Sequence, residues 1–395
     1  MEKQPDYRKE LARSEKQKHR KKKRKTGRSQ MALHLFKLFF VVAGIVLLVL
    51  TAALCILRTM GKHQLTQNSV GSVSEMRMEK KKHHTSELDT ENLMSDETEE
   101  TEQTEEEEEK EGRVYYNGKA YDFNRDILTF LVMGIDQRSE TVQEYTEGFE
   151  GGSADAIFLL VLDPHSKKMQ IIAIDRNTMT DVDIYDYYGS YEKTVKTQLC
   201  VQHGFGDGTV KSAGYMEKAV SNLLYGLPIN GYCAVNMSAI PQINDAVGGV
   251  DVTVLDDITK MDKTLVKGAD VHLMGKSAFW YVQCRDTGVF GSAAGRLERQ
   301  KQYLTAYVSK AKSEFKKNPA LPVTLFGTLK DYMTTDLNAE KVTYLATMAA
   351  GFDFSGVDIR KIPGETVMGD EYEEFYVDED GMYELILDVF YEEVP

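Results

Sequence analysis

Two aspartates, a set of arginines and a glutamine stand at the ends of predicted elements between residues 136 and 300. Asp136 closes the run Leu131-Val-Met-Gly-Ile-Asp136-Gln-Arg138, directly after an apolar strand. Asp155 stands at the start of the next strand, in Ser153-Ala-Asp155-Ala-Ile-Phe-Leu-Leu-Val. Arg176 follows a third apolar run, in Gln170-Ile-Ile-Ala-Ile-Asp175-Arg176-Asn-Thr178. Arg285 and then Gly295-Arg296-Leu-Glu-Arg299-Gln300 add further cations and an amide. Carboxylates that hold a divalent cation, combined with guanidiniums that clamp phosphate oxygens, form a phosphoryl-transfer set.

Magnesium takes one or two carboxylates and leaves its remaining positions to water and substrate phosphates. Asp136 and Asp155 supply such a pair from neighbouring strands, and manganese suits the same oxygens. Taken singly, each also reads as an ordinary loop acid or helix cap. Arg296 and Gln300 are spaced i, i+4 and share one face near an expected helix N-terminus. The free N–H groups and partial positive charge there suit a phosphate. Arg299 is one position off that face and is expected to pair with Glu298 or with solvent. Arg285 ends the preceding helix, and the glycine-rich stretch 288–295 lets its guanidinium fold back toward the same place. The bland reading of Arg176 is a surface ion pair with Asp175 or Asp181.

Strands and helices must bring these groups together. Apolar, β-branched runs at 127–133, 156–162 and 169–174 read as strands, the last two joined by a tight turn at Asp163-Pro-His-Ser-Lys-Lys168. Helical spacing appears over 215–225 and stops at Gly226 before Pro228. A strand over 232–235, a short helix over 237–246 and a strand over 250–255 follow. Helices are expected over 276–284, 296–315 and 339–350, then a strand at 357–362 and a terminal helix over 382–391. This alternation predicts an α/β domain, a layered α-β-α arrangement with a central mixed sheet, preceded by one transmembrane helix.

The N-terminal region carries that membrane prediction. Residues 1–30 form a basic tail centred on His19-Arg-Lys-Lys-Lys-Arg-Lys25, expected to be cytoplasmic. An anchor over 31–60 contains the apolar stretch 38–57, long enough to cross roughly 30 Å of hydrocarbon as a helix. Signal peptides have shorter apolar cores and a small-residue cleavage site, so an uncleaved anchor is the better reading. Residues 61–112 read as an acidic extracellular linker, and 113–395 as the folded extracellular domain. Residues 1–61 hold fifteen Lys and Arg against four acids, a net of +11. The whole chain is −14, so the remainder is −25. The basic run is read as a topology determinant touching anionic lipid, and no nucleic-acid partner is expected. Cys55 lies in the apolar segment. Cys200, Cys233 and Cys284 form no CxxC or Cys/His pattern, which excludes a zinc site of the usual spacing.

From residue 127 to 312 the chain resembles the LytR–CpsA–Psr family of membrane-anchored cell-envelope phosphotransferases. The resemblance rests on Gly134-Ile-Asp136, Asp155, Ile174-Asp-Arg176-Asn-Thr178, Val235-Asn236, Asp245-Ala-Val-Gly-Gly-Val250 and Gly295-Arg296-Leu-Glu-Arg299-Gln300. It implies magnesium ligation by Asp136 and Asp155. Arg176, Arg285, Arg296 and Gln300 match groups holding the pyrophosphate of a polyprenyl-linked glycan. It also implies transfer of that glycopolymer to peptidoglycan, with Asp136, Asp155, Arg176 and Arg285 as the catalytic set. The lipid tail then needs an apolar slot, for which Phe158, Leu160, Ile172, Leu223, Val235 and Leu304 are candidates, each otherwise ordinary core. The chain departs from the family pattern at Ser153, where an arginine is usual, at Asn177 in place of Asp, at Gln283, and at Ala293 in place of an acid. Two other functions fit the same residues: a pyrophosphatase acting on polyprenyl diphosphates, or a non-catalytic envelope-binding or transcription-attenuating regulator.

Overall fold

The computed structural model describes residues 55–65, 112–137 and 151–394, apart from 187, 287, 319 and 350. The basic tail, most of the anchor stretch and most of the acidic linker lie outside the described residues. Among the described residues no helix is long and apolar enough to cross a membrane.

The domain opens with β1 (Arg113–Tyr116) and β2 (Lys119–Phe123), followed by β3 (Leu128–Ile135), β4 (Ala154–Asp163) and β5 (Lys168–Ile174). A hairpin of β6 (Met179–Tyr185) and β7 (Tyr191–Gln198) leads into a 3₁₀ segment (Leu199–Phe205), α1 (Val210–Leu223) and β8 (Gly231–Asn236). Then come α2 (Ile240–Ala246), β9 (Val250–Thr253), β10 (Asp270–Leu273), α3 (Lys276–Gln283) and the long α4 (Ser292–Lys317). The remainder adds α5 (Leu321–Leu329), β11 (Met333–Thr335), α6 (Ala339–Ala349), β12 (Asp353–Lys361), β13 (Gly364–Met368), β14 (Glu373–Val377), α7 (Glu379–Phe390) and β15 (Tyr391–Val394).

Six of these strands make the central sheet, in the order β11-β8-β3-β4-β5-β12. β3, β4 and β5 form an antiparallel meander. β8 runs parallel to β3 and β12 parallel to β5, so the sheet is mixed, as its sequence predicts. Because both faces are covered, the central strands read as nearly continuous apolar runs instead of alternating ones. Leu131, Met133, Ile157, Leu159, Ile172 and Ile174 point to one face, where they pack with α1 and α7. Leu128, Phe130, Phe158, Leu162, Ile171 and Ala173 point to the other, against Leu297 of α4 and Tyr344 of α6. Each fully buried apolar side chain on either face contributes about 1.5–3 kcal/mol. The α-β-α layering follows.

Three local expectations change. Residues 60–65, assigned from 61 onward to the linker, are helical, with Leu65 completely buried and Gln64 bonded to Asn338 at 2.9 Å. An apolar residue at the end of that turn outweighs the polarity around it. The helix expected from 296 begins one turn earlier, at Ser292, where Gly291 turns the chain at φ 80° and Ala293-Ala294 favour helix. The β6–β7 and β13–β14 hairpins were not foreseen, since their polar, charge-rich strands carry little of the apolar alternation that marks a half-buried strand.

Candidate functional site

The register of β3 on β4 breaks at one place. Gly134 pairs with Ala156 and Ile135 with Ala154, which leaves Asp155 as the extra residue of a β-bulge. The bulge flips the side-chain alternation: Ala154 belongs with the α1 face, while Ala156 and Phe158 belong with the α4 face. Asp155 is thereby turned inward and is 8% exposed. Asp136 caps the partner strand with its N–H on the Ser153 carbonyl (3.0 Å), and its side chain is exposed.

Two arginines converge on Asp155 from different elements. Arg296, in the second turn of α4, donates through Nη1 to Oδ2 at 3.0 Å and through Nη2 to the backbone oxygen at 3.4 Å. Arg176 reaches Oδ1 through Nη1 at 3.1 Å. Its backbone is set by a tight turn: Asp175 Oδ1 accepts the Asn177 N–H, and the Asp175 carbonyl accepts from Thr178 Oγ1. Asp175 itself faces Lys361 at 3.6 Å, so the surface pair of Arg176 with Asp175 or Asp181 does not form. The second Arg176 terminal nitrogen donates to Cys200 Sγ at 3.0 Å. Its Nε is buried with no partner among the described residues.

Burial works against both charges with opposite outcomes. For Arg176, Cys200 and Asp155 more than offset desolvation, and its pKa is raised. For Arg296, desolvation prevails, reinforced by Arg176 and Arg285 nearby, and its pKa is lowered. Burial pushes the Cys200 thiol up. Asp155, Ala156, Ile174, Asp175, Arg176, Ala293, Arg296, Leu297 and Gln300 line one cleft.

Four of the six predicted polar residues therefore meet: Asp155, Arg176, Arg296 and Gln300. Gln300 donates to the Val282 carbonyl at 3.1 Å, which fixes its amide one turn beyond Arg296. Arg285 is half-buried beside the cluster, and among the described residues no acid pairs with it. Arg299 does not pair with Glu298 or solvent. It is buried and ties α4 to Asp256 and to the Tyr281 and Cys284 carbonyls, while Glu298 pairs with Lys301. Because α4 starts at Ser292, Arg296 and Gln300 act by their side chains, not as members of a helix N-terminus.

The six apolar candidates do not line one slot. Phe158, Leu160 and Leu304 gather on the α4 face of the sheet. Ile172 and Leu223 lie on the α1 face, and Val235 packs with Leu329 and Met333 in a separate cluster. Strand alternation enforces this, since residues of opposite parity on one sheet face opposite layers.

Several site-building residues carried no recognisable sequence signal. Cys200 arrives because β6 and β7 fold back, with the Leu199 N–H on the Thr178 carbonyl and the Cys200 N–H on that of Arg176. His203 is buried, and burial lowers its pKa. Its Nδ1 lies 3.0 Å from both the Gly151 and Gly152 carbonyls and so carries the proton, holding the segment that enters β4. Glu373 of β14 accepts the Gly291 N–H through Oε1 at 2.7 Å, and its carbonyl accepts from Gln198. The C-terminal hairpin thus braces the start of α4.

The LytR_cpsA_psr family model matches residues 88–386. A teichoic acid transferase of Bacillus cereus, polyisoprenyl-teichoic acid–peptidoglycan teichoic acid transferase TagU, is 30% identical over 184 residues, 46% of this chain and 52% of the relative. The Bacillus subtilis transferase TagV is 26% identical over 252 residues, 62% of this chain and 59% of the relative. The crystal structure of B. subtilis TagV superposes with a TM-score of 0.51 at 22% identity, over 67% of this chain and 96% of that one, and so shares the fold. The chain spans about half the length of the curated relatives it matches first. The mixed sheet, the bulged aspartate with its two arginines and the family match over most of the chain lead to one conclusion: this protein belongs to the LytR_cpsA_psr family.

Proposed function

We propose that this protein is a membrane-anchored extracellular phosphotransferase that moves a polyprenyl-diphosphate-linked glycopolymer onto peptidoglycan. The observation that carries the reading is the Asp155–Arg176–Arg296 cluster at the cleft. Two guanidiniums and the neighbouring Arg285 outnumber the Asp155 carboxylate, the other acid of the cleft, Asp175, being paired with Lys361, so the cleft favours an anion with several oxygens. The buried Arg176 Nε lacks an acceptor among the described residues, and a phosphate oxygen would supply one. The names of the Bacillus transferases point to teichoic acid as the polymer class and peptidoglycan as the acceptor. Anchoring rests on the apolar stretch 38–57 with its basic flank.

The roles follow from charge. Arg176, Arg285 and Arg296 bind the diphosphate and neutralise the charge that develops on the departing polyprenyl phosphate. Gln300, held by Val282, orients an oxygen on the same side. Asp155 holds the two arginines at the cleft until substrate oxygens share them. A hydroxyl of the peptidoglycan sugar forms the new bond to the sugar-linked phosphorus, and the bond to the polyprenyl phosphate breaks.

Among the described residues no three His, Cys, Asp or Glu side chains gather to hold a metal. Asp136 and Asp155 stand at adjoining strand ends, but both Asp155 oxygens are engaged by Arg176 and Arg296, so a cation there would share one of them and draw its other ligands from Asp136, substrate and water. These two would hold magnesium or manganese, which when bound would screen phosphate charge. The test is to mix the full-length chain with lipid-linked labelled glycan and sedimentable peptidoglycan. Label in the sediment supports transfer, free labelled glycan supports the pyrophosphatase, and unchanged donor favours a non-catalytic binder.

A further inference from the structure

The β6–β7 hairpin grows directly from the catalytic turn, with Met179 three residues after Arg176. A lone two-stranded hairpin is marginal in water, and this one is braced along one side. Gln202 bonds both the Asp183 N–H (2.8 Å) and carbonyl (3.0 Å), and Lys218 pairs with the Asp183 carboxylate at 2.9 Å. Tyr185 stacks flat on Tyr215, with ring centroids 4.3 Å apart. Past these braces β7 is open to solvent, residues 191–194 all being exposed. Tyr188 is 87% exposed and Tyr191 57%. At about 3.3 Å per residue, the tip stands about 20 Å from the turn that carries Arg176.

Exposed rings on a braced hairpin mark a contact surface, and Tyr191 is fixed there edge-on against Tyr185 (centroids 6.0 Å) with its hydroxyl 2.9 Å from Thr194 Oγ1. Tyrosine offers an apolar face, a hydroxyl edge and little side-chain entropy to lose. Charge selects the partner. Residues 179–198 contain Asp181, Asp183, Asp186 and Glu192 against Lys193 and Lys196, a net of −2. That sign disfavours a phosphate-rich polymer and an anionic lipid surface alike. Pyranose rings without net negative charge, apolar on their faces and hydroxylated at their edges, complement it.

We propose that the β6–β7 hairpin is a docking rail for the acceptor glycan strand, with Tyr188 and Tyr191 stacking on sugar rings several units from the reacting hydroxyl. The identity of that strand as the acceptor rests on the transfer reading above; the sugar-binding surface itself does not. The hairpin selects long strands over short ones, because a short acceptor at the cleft cannot span to the tip.

The experiment measures binding of peptidoglycan glycan strands of graded length to the full-length chain in detergent, with no lipid donor present. Wild type should bind long strands more tightly than short ones. Tyr188→Ala with Tyr191→Ala should weaken long-strand binding about tenfold, or about 1.4 kcal/mol, and erase the length dependence. Tyr188→Phe with Tyr191→Phe keeps the rings and should keep most of the affinity. Length-dependent binding that survives in the alanine variant overturns the proposal. So does an equal loss in the alanine and phenylalanine variants. If wild type fails to transfer glycan yet shows tyrosine-dependent strand binding, the transfer reading falls and the sugar surface stands. If transfer succeeds but binding ignores the tyrosines, the hairpin assignment falls alone.

Discussion

Arg296 Nη1 donates to Oδ2 of Asp155 at 3.0 Å across 141 residues of sequence, with side-chain exposures of 4% and 8%. Arg176 takes the other carboxylate oxygen at 3.1 Å. One buried negative charge therefore holds one buried and one partly buried positive charge, and the triad carries a surplus that an anionic substrate can use.

The two aspartates should separate in their effects. Asp155→Ala strands the buried Arg296 guanidinium and should cost about 3–5 kcal/mol of stability, as removal of one partner of a buried pair does. Asp136→Ala removes an exposed side chain and should change stability by less than about 0.5 kcal/mol. Denaturant melts would give the first comparison. In the transfer assay both variants should be inactive, Asp136→Ala while fully folded.

Cys200 should position Arg176 through its sulfur. Cys200→Ala removes the acceptor for Nη2 and should raise the apparent KM for the lipid-linked donor on the order of tenfold, the worth of one weakened charged hydrogen bond. Cys200→Ser retains an acceptor and should recover most of that loss. Equal behaviour of the two variants in donor titrations would reduce the cysteine to packing.

Glu373 should act on the start of α4 through the Gly291 N–H. Glu373→Gln keeps an acceptor there and removes a carboxylate oxygen that is buried without a partner among the described residues. It should be as stable as wild type or more so. Glu373→Ala should lose about 1 kcal/mol, the usual value of a helix cap. Thermal melts of the two variants check this directly.

Glu217 supplies a pH signature. Burial, with Asp336 adding repulsion, raises its pKa from 4.5 to about 6. A carboxyl raised in the folded state binds more protons there than in the unfolded chain, so stability falls as pH rises between those values. The penalty is absent at pH 4.5 and below and complete above pH 6. Glu217→Gln should therefore raise Tm at pH 7 and lose that advantage by pH 4.5.

Residues 127–133, 156–162 and 169–174 were legible as strands because both faces of the central sheet are covered and every position but Thr129 and Gln170 is apolar. Asp155 and Arg176 were legible because they open and follow such strands, and Arg296 with Gln300 because their i, i+4 spacing puts them on one helix face. Their pairing was not. The inward turn of Asp155 depends on a one-residue bulge, and the place of Cys200 on a polar hairpin that returns it to Arg176. Neither leaves a periodic trace. The lipid-slot candidates divide among separate clusters for a related reason: apolar type says a residue is buried, but strand parity decides on which face. The burial of Arg299 shows the same limit, since its partners are Asp256, 43 residues away, and backbone carbonyls at the end of α3, which leave no mark in side-chain pattern.

The central claim is phosphotransfer at the Asp155–Arg176–Arg296 cleft. Its most direct test is mass spectrometry of the products after the full-length chain is incubated with a polyprenyl-diphosphate glycan, peptidoglycan fragments and magnesium. We expect a glycan–peptidoglycan phosphodiester that disappears with a chelator and in Arg176→Ala. A conjugate formed equally well by Arg176→Ala, or intact donor recovered with wild type, would contradict the account.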